Sequence, residues 1–447
     1  MTNEQFRAVC MEKFDAKSHE LNERARTNIE KYRKTNHTLR ILDENGQPIV
    51  GACVHINQKT HDFKHGANLF MLDEYKDEEI NARYRDTFAK YFNLATVPFF
   101  WTGTEPEEGK LRYDADSPKN VYRRPPTDLC VQYCEEKGIL PKLHCLFYDK
   151  IIPNWLPKND HDAMWKLYEK RFAEIAQRYT GRMYEIEVTN EMTVTHNGAS
   201  CSILANEKDI GPRVWEMARR YFPNERLMIN DAYPKDVGIR RYGNQYYLKI
   251  RDYLSNGASI DKIGVQSHVF CGIQGPETIE KDLMARIDHY NPDALIRGLD
   301  ILSEFGRPLE ITEITVPTLG EGEAAEQLQA DLVRELYTLY FATPLMESIL
   351  YWNVPDNAAV AMPGWDENQT RGGLFNYDMT PKRSALELKR LFEEEWHTEE
   401  ELVTDESGCV KFRGFLGDYE AQINGEKLFF GLHRHRGAMT TAQIIKK

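Results

Sequence analysis

Eight short apolar runs recur along the chain, and segments with the periodicity of amphipathic helices, such as 162–179 and 326–341, separate them. Strand-like runs that alternate with helical segments favour parallel β–α units. Eight such units in succession are the pattern of a (β/α)8 TIM barrel. We therefore predict an α/β fold of this type, with strands that begin near Phe63, Leu94, Leu140, Tyr184, Arg226, Lys262, Pro308 and Ser348.

The two ends of the chain have a different pattern. Residues 1–36 are rich in Glu, Lys and Arg and predict one charged surface helix. In 37–60, two short strands flank an Asn-Gly dipeptide at 45–46, which is typical of a hairpin turn. Short strands also follow one another in 397–447. We expect 397–447 to pack with 37–60 as a small accessory β module, and 61–396 to form the barrel.

Two glutamates stand at the ends of predicted barrel strands. Glu191 ends the run 184–191, which is the fourth strand, and Glu313 lies near the end of the run 308–314, which is the seventh. The carboxyl ends of all strands in a parallel barrel meet at one mouth, where barrel enzymes place their chemistry. Hydrolysis of a glycosidic bond requires two facing carboxyl groups. The sequence therefore predicts a glycosidase site at this mouth.

Three neighbouring polar residues fit the same chemistry. A retaining glycosidase holds one ionised carboxylate and one protonated carboxyl group about 5–5.5 Å apart, and burial and the neighbouring anion raise the pKa of the acid. We expect Asn190, adjacent to Glu191, to bind the hydroxyl group next to the anomeric carbon. We expect Gln266 and His268 to orient Glu313 and to keep it anionic.

Ordered motifs along about residues 60–395 support this interpretation. Three of them are Thr189-Asn190-Glu191, Gly264-Val265-Gln266-Ser267-His268 and Ile311-Thr312-Glu313. The others are Tyr91-Phe92-Asn93, Thr104-Glu105-Pro106 with Gly109, His144, Pro153-Asn154-Trp155, Asn230-Asp231, Trp352 with Asp356, and Leu374-Phe375 with Pro381-Lys382. In this order the motifs resemble glycoside hydrolase family 10, the β-1,4-xylanase family of the retaining clan A barrels. The resemblance implies that Glu191 is the acid/base and Glu313 the nucleophile.

Five further residues are expected to bind the sugar: His144, Asp149, Trp352, Asp356 and Trp365. His144, Trp352 and Asp356 belong to the motifs above. Asp149 stands in place of the His that the family usually has after strand three. Trp365 is the candidate substitute for a Trp that usually follows the strand-eight Asp. For His144 the alternative is a histidine that only packs in the core. For Asp149 it is a solvated loop residue, and for Trp352 it is a residue that only packs the barrel end.

One stretch departs from the family pattern. After Phe-Asn the family usually has Thr-Pro-Glu-Asn-x-Met-Lys-Trp, whose Glu, Asn and Lys grip the sugars on the non-reducing side. Residues 96–101 of this chain read Thr-Val-Pro-Phe-Phe-Trp. We interpret Phe99 and Phe100 as core residues, and the alternative is that they line an apolar subsite. A site that loses hydrogen-bonding groups changes specificity, so we expect a preference for short or decorated oligosaccharides over long xylan.

Charge and cysteine usage limit the partners. The net charge of −13 argues against a nucleic acid or an anionic membrane surface, and the pair at 123–124 is too short to be a basic patch. No run reaches the roughly 20 apolar residues of a membrane span, and residues 1–27 lack the apolar core of a signal peptide. The eight cysteines are scattered and are expected to be reduced. We expect a cytoplasmic enzyme that needs no cofactor or metal.

Two other functions compete with the glycosidase. One is a catalytically silent barrel that binds carbohydrate, which would not need both carboxylates. The other is a metal-dependent isomerase or hydrolase, for which Glu191, Asp231, His268 and Glu313 would have to converge as ligands.

Overall fold

A computed structural model describes residues 1–193, 201–207, 210–434 and 439–443. The N-terminal segment forms two helices, α1 (Asn3–Asp15) and α2 (Ser18–Arg33), so the prediction of a single charged helix is wrong. Two strands follow, β1 (Lys34–Leu42) and β2 (Cys53–Gln58). The first strand therefore begins directly at the end of α2.

Eight strands of the described chain close into one barrel. In chain order they are β3 (Lys64–Asn68), β4 (Leu94–Pro98), β5 (Leu140–Phe147), β6 (Glu185–Asn190), β7 (Leu227–Asp231), β8 (Lys262–His268), β9 (Leu309–Thr315) and β10 (Met346–Tyr351). Neighbours from β3 to β9 pair in parallel, and β10 lies between β9 and β3. The predicted (β/α)8 barrel is confirmed, with every strand close to its expected start.

Amphipathic helices alternate with these strands. They are α3 (Glu78–Tyr91), α4 (Trp101–Thr104), α5 (Thr127–Lys137), α6 (His161–Tyr179), α7 (Ile210–Tyr221), α8 (Pro234–Arg240), α9 (Gln245–Ser255), α10 (Ile279–Arg286), α11 (Pro292–Ser303), α12 (Gly322–Phe341) and α13 (Arg383–Arg390). In α6, Asp160 caps the first turn by accepting from Ala163 N at 3.0 Å. Buried Trp165, Tyr168 and Phe172 recur three to four residues apart and form its core face.

Charged side chains fill the barrel interior near the starts of its strands. Lys142 Nζ lies 2.7 Å from Glu310 and 3.2 Å from Glu187. Lys262 Nζ lies 2.8 Å from Glu185 and 2.6 Å from Glu310. All five residues are fully buried, and such charges are tolerated only when they are paired. This network lies at the opposite strand ends from Glu191 and Glu313.

Strands from both chain ends form two small sheets. After a short antiparallel pair, β11 (Ala361–Met362) and β12 (Trp365–Asp366), the chain adds β13 (Glu399–Val403), β14 (Cys409–Phe415), β15 (Gly417–Ile423), β16 (Glu426–Leu432) and β17 (Met439–Gln443). The strand orders are β14-β1-β17 and β13-β2-β15-β16. A shared apolar core includes Leu39, Ile56, Phe412 and Tyr419. The accessory β module predicted from the two ends is confirmed.

The predicted hairpin around residues 45–46 forms only next to its turn, where Leu42 and Pro48 make an antiparallel bridge and Ile49 N–H donates to Ile41 O at 3.1 Å. The predicted pairing of the two strands is wrong. The turn itself forms, since Asp43 Oδ1 accepts from Asn45 N at 2.9 Å and from Gln47 N at 2.8 Å. However, β1 pairs with β14 and β17, whereas β2 pairs with β13 and β15. The chain thus passes from one sheet to the other after the turn, because both strands bury apolar side chains in the same core.

The chain consists of two compact units. One contains Met1–Ala16, His65–Leu332 and Ser348–Ala385, and the other contains Lys17–Lys64, Val333–Glu347 and Leu386–Lys447. The predicted boundaries at 36, 60 and 396 stay predictions. In the described ranges, no helix combines the length and apolar character that a bilayer span requires.

Candidate active site

The carboxyl ends of four neighbouring strands bring polar side chains together. Asn190 of β6 is in register with Asn230 of β7, and Gln266 of β8 is in register with Glu313 of β9. In both strand pairs the register shifts shortly before or at these residues. Such bulges redirect side chains and occur often beside active sites. Glu191 follows β6 directly and completes the group.

Glu313 is an anion held by three donors. Its Oε1 accepts from Asn230 Nδ2 at 2.8 Å and from Gln266 Nε2 at 3.1 Å, and its Oε2 lies 3.0 Å from His268 Nε2. Burial alone would raise the pKa of Glu313, but the hydrogen bond and charge of His268, then the charge of His144 and the Asn230 bond, hold that pKa below its usual 4.5. Glu313 is therefore ionised at neutral pH.

The two hydrogen-bond partners of His268 determine which ring nitrogen donates to Glu313. A carboxylate only accepts hydrogen bonds, so Nε2 donates to Glu313. The other ring nitrogen, Nδ1, lies 2.9 Å from Thr315 Oγ1. This second contact fixes the ring plane and points Nε2 at the carboxylate.

Gln266 connects the two glutamates. Its Nε2 lies 3.2 Å from Glu191 Oε1 and 3.1 Å from Glu313 Oε1. Because both oxygens lie within hydrogen-bonding distance of one nitrogen, they are no farther apart than the sum of these two distances. The two carboxylates thus meet at one mouth, and the spacing of about 5–5.5 Å stays a prediction.

Glu191 is positioned by its backbone and by Tyr148. It has a φ of 51°, a left-handed conformation that is uncommon outside glycine and occurs often at functional sites. Its N–H donates to Asn230 O at 3.0 Å. Tyr148 O–H donates to Glu191 Oε2 at 2.6 Å, and Lys150 Nζ lies 3.6 Å from the same oxygen. Glu191 is only partly buried, so it can reach a leaving group.

Asn190 presents a donor to the pocket. Its Oδ1 accepts from Asn230 Nδ2 at 3.0 Å and from Gln266 Nε2 at 3.5 Å. These bonds fix the amide plane. In the described ranges its Nδ2 takes part in no hydrogen bond, and this donor is available to a bound hydroxyl group.

His144 and Trp352 form part of the pocket wall. His144 Nδ1 lies 2.9 Å from Glu187 Oε1, which fixes the ring. The Trp352 ring lies edge-on to the rings of His144 at 5.6 Å and His268 at 5.7 Å. Trp365 lies farther out, with its ring 5.8 Å from Phe270. These positions suit the expected sugar contacts of His144, Trp352 and Trp365, which stay predictions.

Asp149 and Asp356 make internal contacts instead. Asp149 is 2% exposed, and its oxygens accept from Ser202 N at 2.7 Å, Ser202 Oγ at 2.9 Å and Tyr168 O–H at 3.2 Å. Asp356 pairs with Lys382 Nζ at 2.8 Å and accepts from the N–H of Gly373 at 2.7 Å. Both carboxylates hold loops in place, so these contacts give the predicted sugar-binding roles no support.

Two positioning residues did not emerge as site residues from the sequence. The sequence placed Tyr148 only among the polar residues that follow strand three, next to Asp149, and assigned it no role. Asn230 was noted as a strand-end residue, but its four bonds, to Glu187, Asn190, Glu313 and Thr312, could not be foreseen. These four hydrogen bonds depend on the register between strands that are distant in sequence.

The proposed metal cluster does not assemble. Among the described residues, ligand-type side chains converge at His144, Cys145 and Glu187. Asp231 is instead bound by the N–H of Thr193 at 2.6 Å and by its Oγ1 at 2.5 Å. Burial raises the pKa of Asp231 to about 6. Asp231 thus holds the loop at Thr193 in place. In the described ranges, Glu191, Asp231, His268 and Glu313 do not converge as ligands of one metal ion.

Comparison with known proteins places these features in context. The family model described as glycosyl hydrolase family 10 matches residues 74–389. The chain is 24% identical over 406 residues to "Endo-1,4-beta-xylanase 1" of Arabidopsis thaliana, which covers 88% of this chain and 37% of the relative. It is 24% identical over 428 residues to "Anti-sigma-I factor RsgI6" of Acetivibrio thermocellus, which covers 94% and 49%. The chain thus spans less than half the length of both of these curated relatives.

Solved structures share the fold. The native xylanase 10B from Thermotoga maritima matches with a TM-score of 0.59 and 18% identity over 75% of this chain and 96% of that chain. The xylanase 10B from Thermotoga petrophila RKU-1, in complex with xylobiose, matches with a TM-score of 0.59 and 19% identity over 75% and 95%. Both likenesses extend over nearly the whole of the compared barrels.

Proposed function

Because the chain belongs to glycosyl hydrolase family 10, we propose that it is a retaining β-glycosidase of the xylanase type that forms a covalent glycosyl-enzyme intermediate. The observation that carries this proposal is the single donor, Gln266 Nε2, shared by Glu191 and Glu313. It brings two carboxylates together, and three donors hold one of them as an anion. A neighbouring anion and proton donor are the pair that retaining hydrolysis uses.

The proposed reaction has two displacements. Glu313 attacks the anomeric carbon while Glu191 gives its proton to the glycosidic oxygen, so the bond to the leaving group breaks as the glycosyl–Glu313 ester forms. Glu191 then takes a proton from water, and the water oxygen attacks the anomeric carbon and releases Glu313. Asn190 Nδ2 donates to the neighbouring hydroxyl group. Tyr148 holds Glu191 on the leaving-group oxygen.

Substitution of each glutamate tests the roles. Glu313→Ala should abolish hydrolysis of every glycoside, because no covalent intermediate forms. Glu191→Ala should keep most of kcat/KM on aryl glycosides with an activated phenol, whose departure needs little protonation, but its kcat should fall because the base for the second step is missing. Azide should restore that kcat by replacing the base-assisted water. Glu169→Ala, a change at an exposed glutamate, is the control. Folded wild-type protein that binds oligosaccharides but hydrolyses none would instead support a silent binding barrel.

The preferred substrates are short or decorated β-linked oligosaccharides. Phe99 is fully buried and packs edge-on against Tyr179 at 5.0 Å, as expected for a core residue. Phe100 is buried as well, but its ring lies 5.0 Å from the ring of His144. This residue therefore borders the site as well as the core. The stretch therefore gives the pocket an apolar wall. Specificity constants on xylo-oligosaccharides should exceed those on polymeric xylan, and equal values would contradict this proposal.

We also propose that the enzyme works in a reducing compartment such as the cytoplasm. Eight free cysteines support this, five of which are buried, since proteins of oxidising compartments tend to carry disulfides. Thiol titration of denatured protein from its native host, prepared without reductant, should find all eight thiols, and the protein should fractionate with the cell interior. Disulfides or secretion into the medium would contradict the proposal.

A further inference from the structure

Arg124 lies on the wall of the barrel mouth. Its guanidinium carbon is 4.0 Å from the centre of the Phe100 ring and 5.3 Å from the centre of the Phe70 ring. Phe70 follows β3 by two residues and Phe100 follows β4 by two residues, so both rings stand at the carboxyl ends of barrel strands. The Arg124 stem packs on Gly103, where an added Cβ would meet three of its carbons at 3.1 Å. The cation is therefore held in place.

One aromatic ring separates this cation from the groups around Glu191. The Phe100 ring lies 5.0 Å from that of His144 and 6.1 Å from that of Tyr148, and Tyr148 donates to Glu191. Phe70 lies 5.3 Å from Trp352. Arg124 thus stacks on two rings that border the groups around Glu191, although the sequence showed it only as half of an Arg-Arg pair.

Arg124 lacks a carboxylate partner in the described ranges. Its Nη1 donates to the carbonyl of Arg123 at 2.8 Å. Arg123, by contrast, donates to Ala358 O and to Asn353 Oδ1, and Asn353 connects it to Glu367 at 3.0 Å. Arg123 is therefore linked to the carboxylate of Glu367 through Asn353, whereas Glu367 acts on Arg124 only through its charge.

The surroundings do not neutralise Arg124. Burial, and then the charge of Arg123, lower the pKa of Arg124 to about 9, so it remains protonated at neutral pH. The charges of Glu74 and Glu367 act on the pKa of Arg124 in the opposite direction, but burial raises the pKa of Glu74 to about 7, and in the described ranges its Oε1 accepts no hydrogen bond. A partly buried cation without an anion is costly, and a bound anion would remove that cost.

We propose that Arg124 binds an anionic group on the substrate, so that the preferred oligosaccharide carries an acidic sugar unit within the pocket. This inference rests on the proposed glycosidase function and names its substrate class. A planar guanidinium stacked on an aromatic ring offers a fork of donors that matches a carboxylate in two parallel bonds. A uronic acid carboxylate and a sulfate ester share the required chemistry, and the experiment distinguishes them.

The test compares matched substrates. Aryl glycosides of xylobiose are prepared unsubstituted, with a glucuronosyl substituent, and with a sulfate ester. Wild-type protein should hydrolyse at least one acidic substrate with a kcat/KM about 10- to 100-fold above the neutral one, the size of one or two charge-assisted bonds. This advantage should shrink as salt is added. Of the two acidic substrates, the one with the larger gain in kcat/KM over the neutral substrate identifies the anionic group that Arg124 binds.

Variants locate the effect. Arg124→Gln should remove the preference for the acidic substrate, because its kcat/KM on the acidic substrate should fall about 10- to 100-fold further than its kcat/KM on the neutral one. Arg124→Lys should keep part of it, since the charge remains but the planar fork is lost. Arg213→Gln is the control, because Arg213 also stacks on an aromatic ring, Trp165 at 4.0 Å, but its charge has a carboxylate partner, Glu207 at 3.7 Å.

Three outcomes would overturn the proposal. They are equal or better turnover of the neutral substrate by wild-type protein, an acidic preference that high salt leaves intact, and an equal loss on both substrates in Arg124→Gln. The first two need no variant, so they decide the question even if Arg124→Gln fails to fold. If wild-type protein hydrolyses no glycoside, the glycosidase proposal fails, and calorimetric binding of the same substrates still tests Arg124.

Discussion

Tyr148 is the side chain that most directly orients Glu191. Tyr148→Phe keeps the ring beside Phe100 and removes the hydroxyl that donates at 2.6 Å. A hydrogen bond to a charged group contributes about 1.5–3 kcal/mol, so kcat/KM should fall about 10- to 100-fold. The loss should be larger for alkyl leaving groups, which need a well-aimed proton, than for activated phenols. Measuring both substrate classes checks this.

Tyr221→Phe is the control for Tyr148→Phe. Tyr221 also donates to a glutamate, Glu169 at 3.1 Å, but at an exposed position. The same removal of a hydroxyl there should leave kinetics unchanged. An equal loss for both leaving-group classes in Tyr148→Phe would show that the hydroxyl positions the wall and not the proton.

His268 sets the acid limb of the pH profile. Its hydrogen bond and charge are the leading causes that hold the pKa of Glu313 below 4.5 against burial. In His268→Ala burial dominates, so the pKa of Glu313 rises and this proposed nucleophile becomes protonated at higher pH. The acid limb of kcat/KM should move toward neutral pH, with a greater relative loss at pH 5 than at pH 7.

The pH profile of His161→Ala is the comparison, because His161 is an exposed histidine that contacts Asp162 and Glu207. Its acid limb should coincide with that of the wild-type protein. A His268→Ala profile that falls in height without moving along the pH axis would contradict the role of His268 in ionising Glu313.

The sequence predicted residues whose role follows from their place on a strand. Glu191 and Glu313 were predicted because the carboxyl ends of parallel strands share one mouth. Asp149 shares that location, but Ser202 and Tyr168 take up its oxygens. Those partners lie on a different loop and a helix, and one sequence does not reveal which loop will fold over a carboxylate.

At the scale of elements, local sequence patterns predicted the positions of strands better than they predicted which strands pair with one another. All eight barrel strands were found because βα alternation specifies both the strands and their order. The Asn-Gly turn at 45–46 formed, yet β1 and β2 joined different sheets. The partners of β1 are β14 and β17, hundreds of residues away, and a turn motif contains no information about such distant pairing.

The charged layer in the barrel interior makes a prediction at this scale. Lys262 compensates Glu185 and Glu310, and all three are fully buried. Lys262→Met keeps the length of the side chain and leaves the two carboxylates without this cation. Breaking a buried pair costs about 3–5 kcal/mol, so the free energy of unfolding from urea denaturation should fall by that amount at pH 7.

Lys170→Met provides the matched change at the surface. Lys170 is 55% exposed and pairs with Glu174 at 3.6 Å, and exposed pairs contribute only about 0–1 kcal/mol. The two variants should therefore differ severalfold in their effect. Similar, small losses in both would mean that protonation of the buried glutamates replaces the missing lysine.

For the whole molecule, charge controls stability through its carboxylates. The chain carries a net charge of −13, and several acids are held ionised by partners, among them Glu30, Asp73, Asp128 and Glu313. A carboxyl whose pKa is lower in the folded state stabilises that state above its unfolded pKa, and this contribution is lost as pH falls. Composition gave the excess of acids, but only the fold shows which are paired.

Asp128 isolates one such contribution. Burial acts to raise its pKa, but hydrogen bonds from Arg178 and Tyr179 and the charge of Arg178 lower it below 3.8. Asp128→Asn should therefore reduce the free energy of unfolding at pH 7, and the difference from wild type should shrink as pH falls below about 3.9, where the unfolded carboxylate is protonated. Urea denaturation from pH 7 to pH 3 measures this, with exposed Asp116→Asn as the control. A difference that stays constant over this range would show that Asp128 acts through packing and not through its charge.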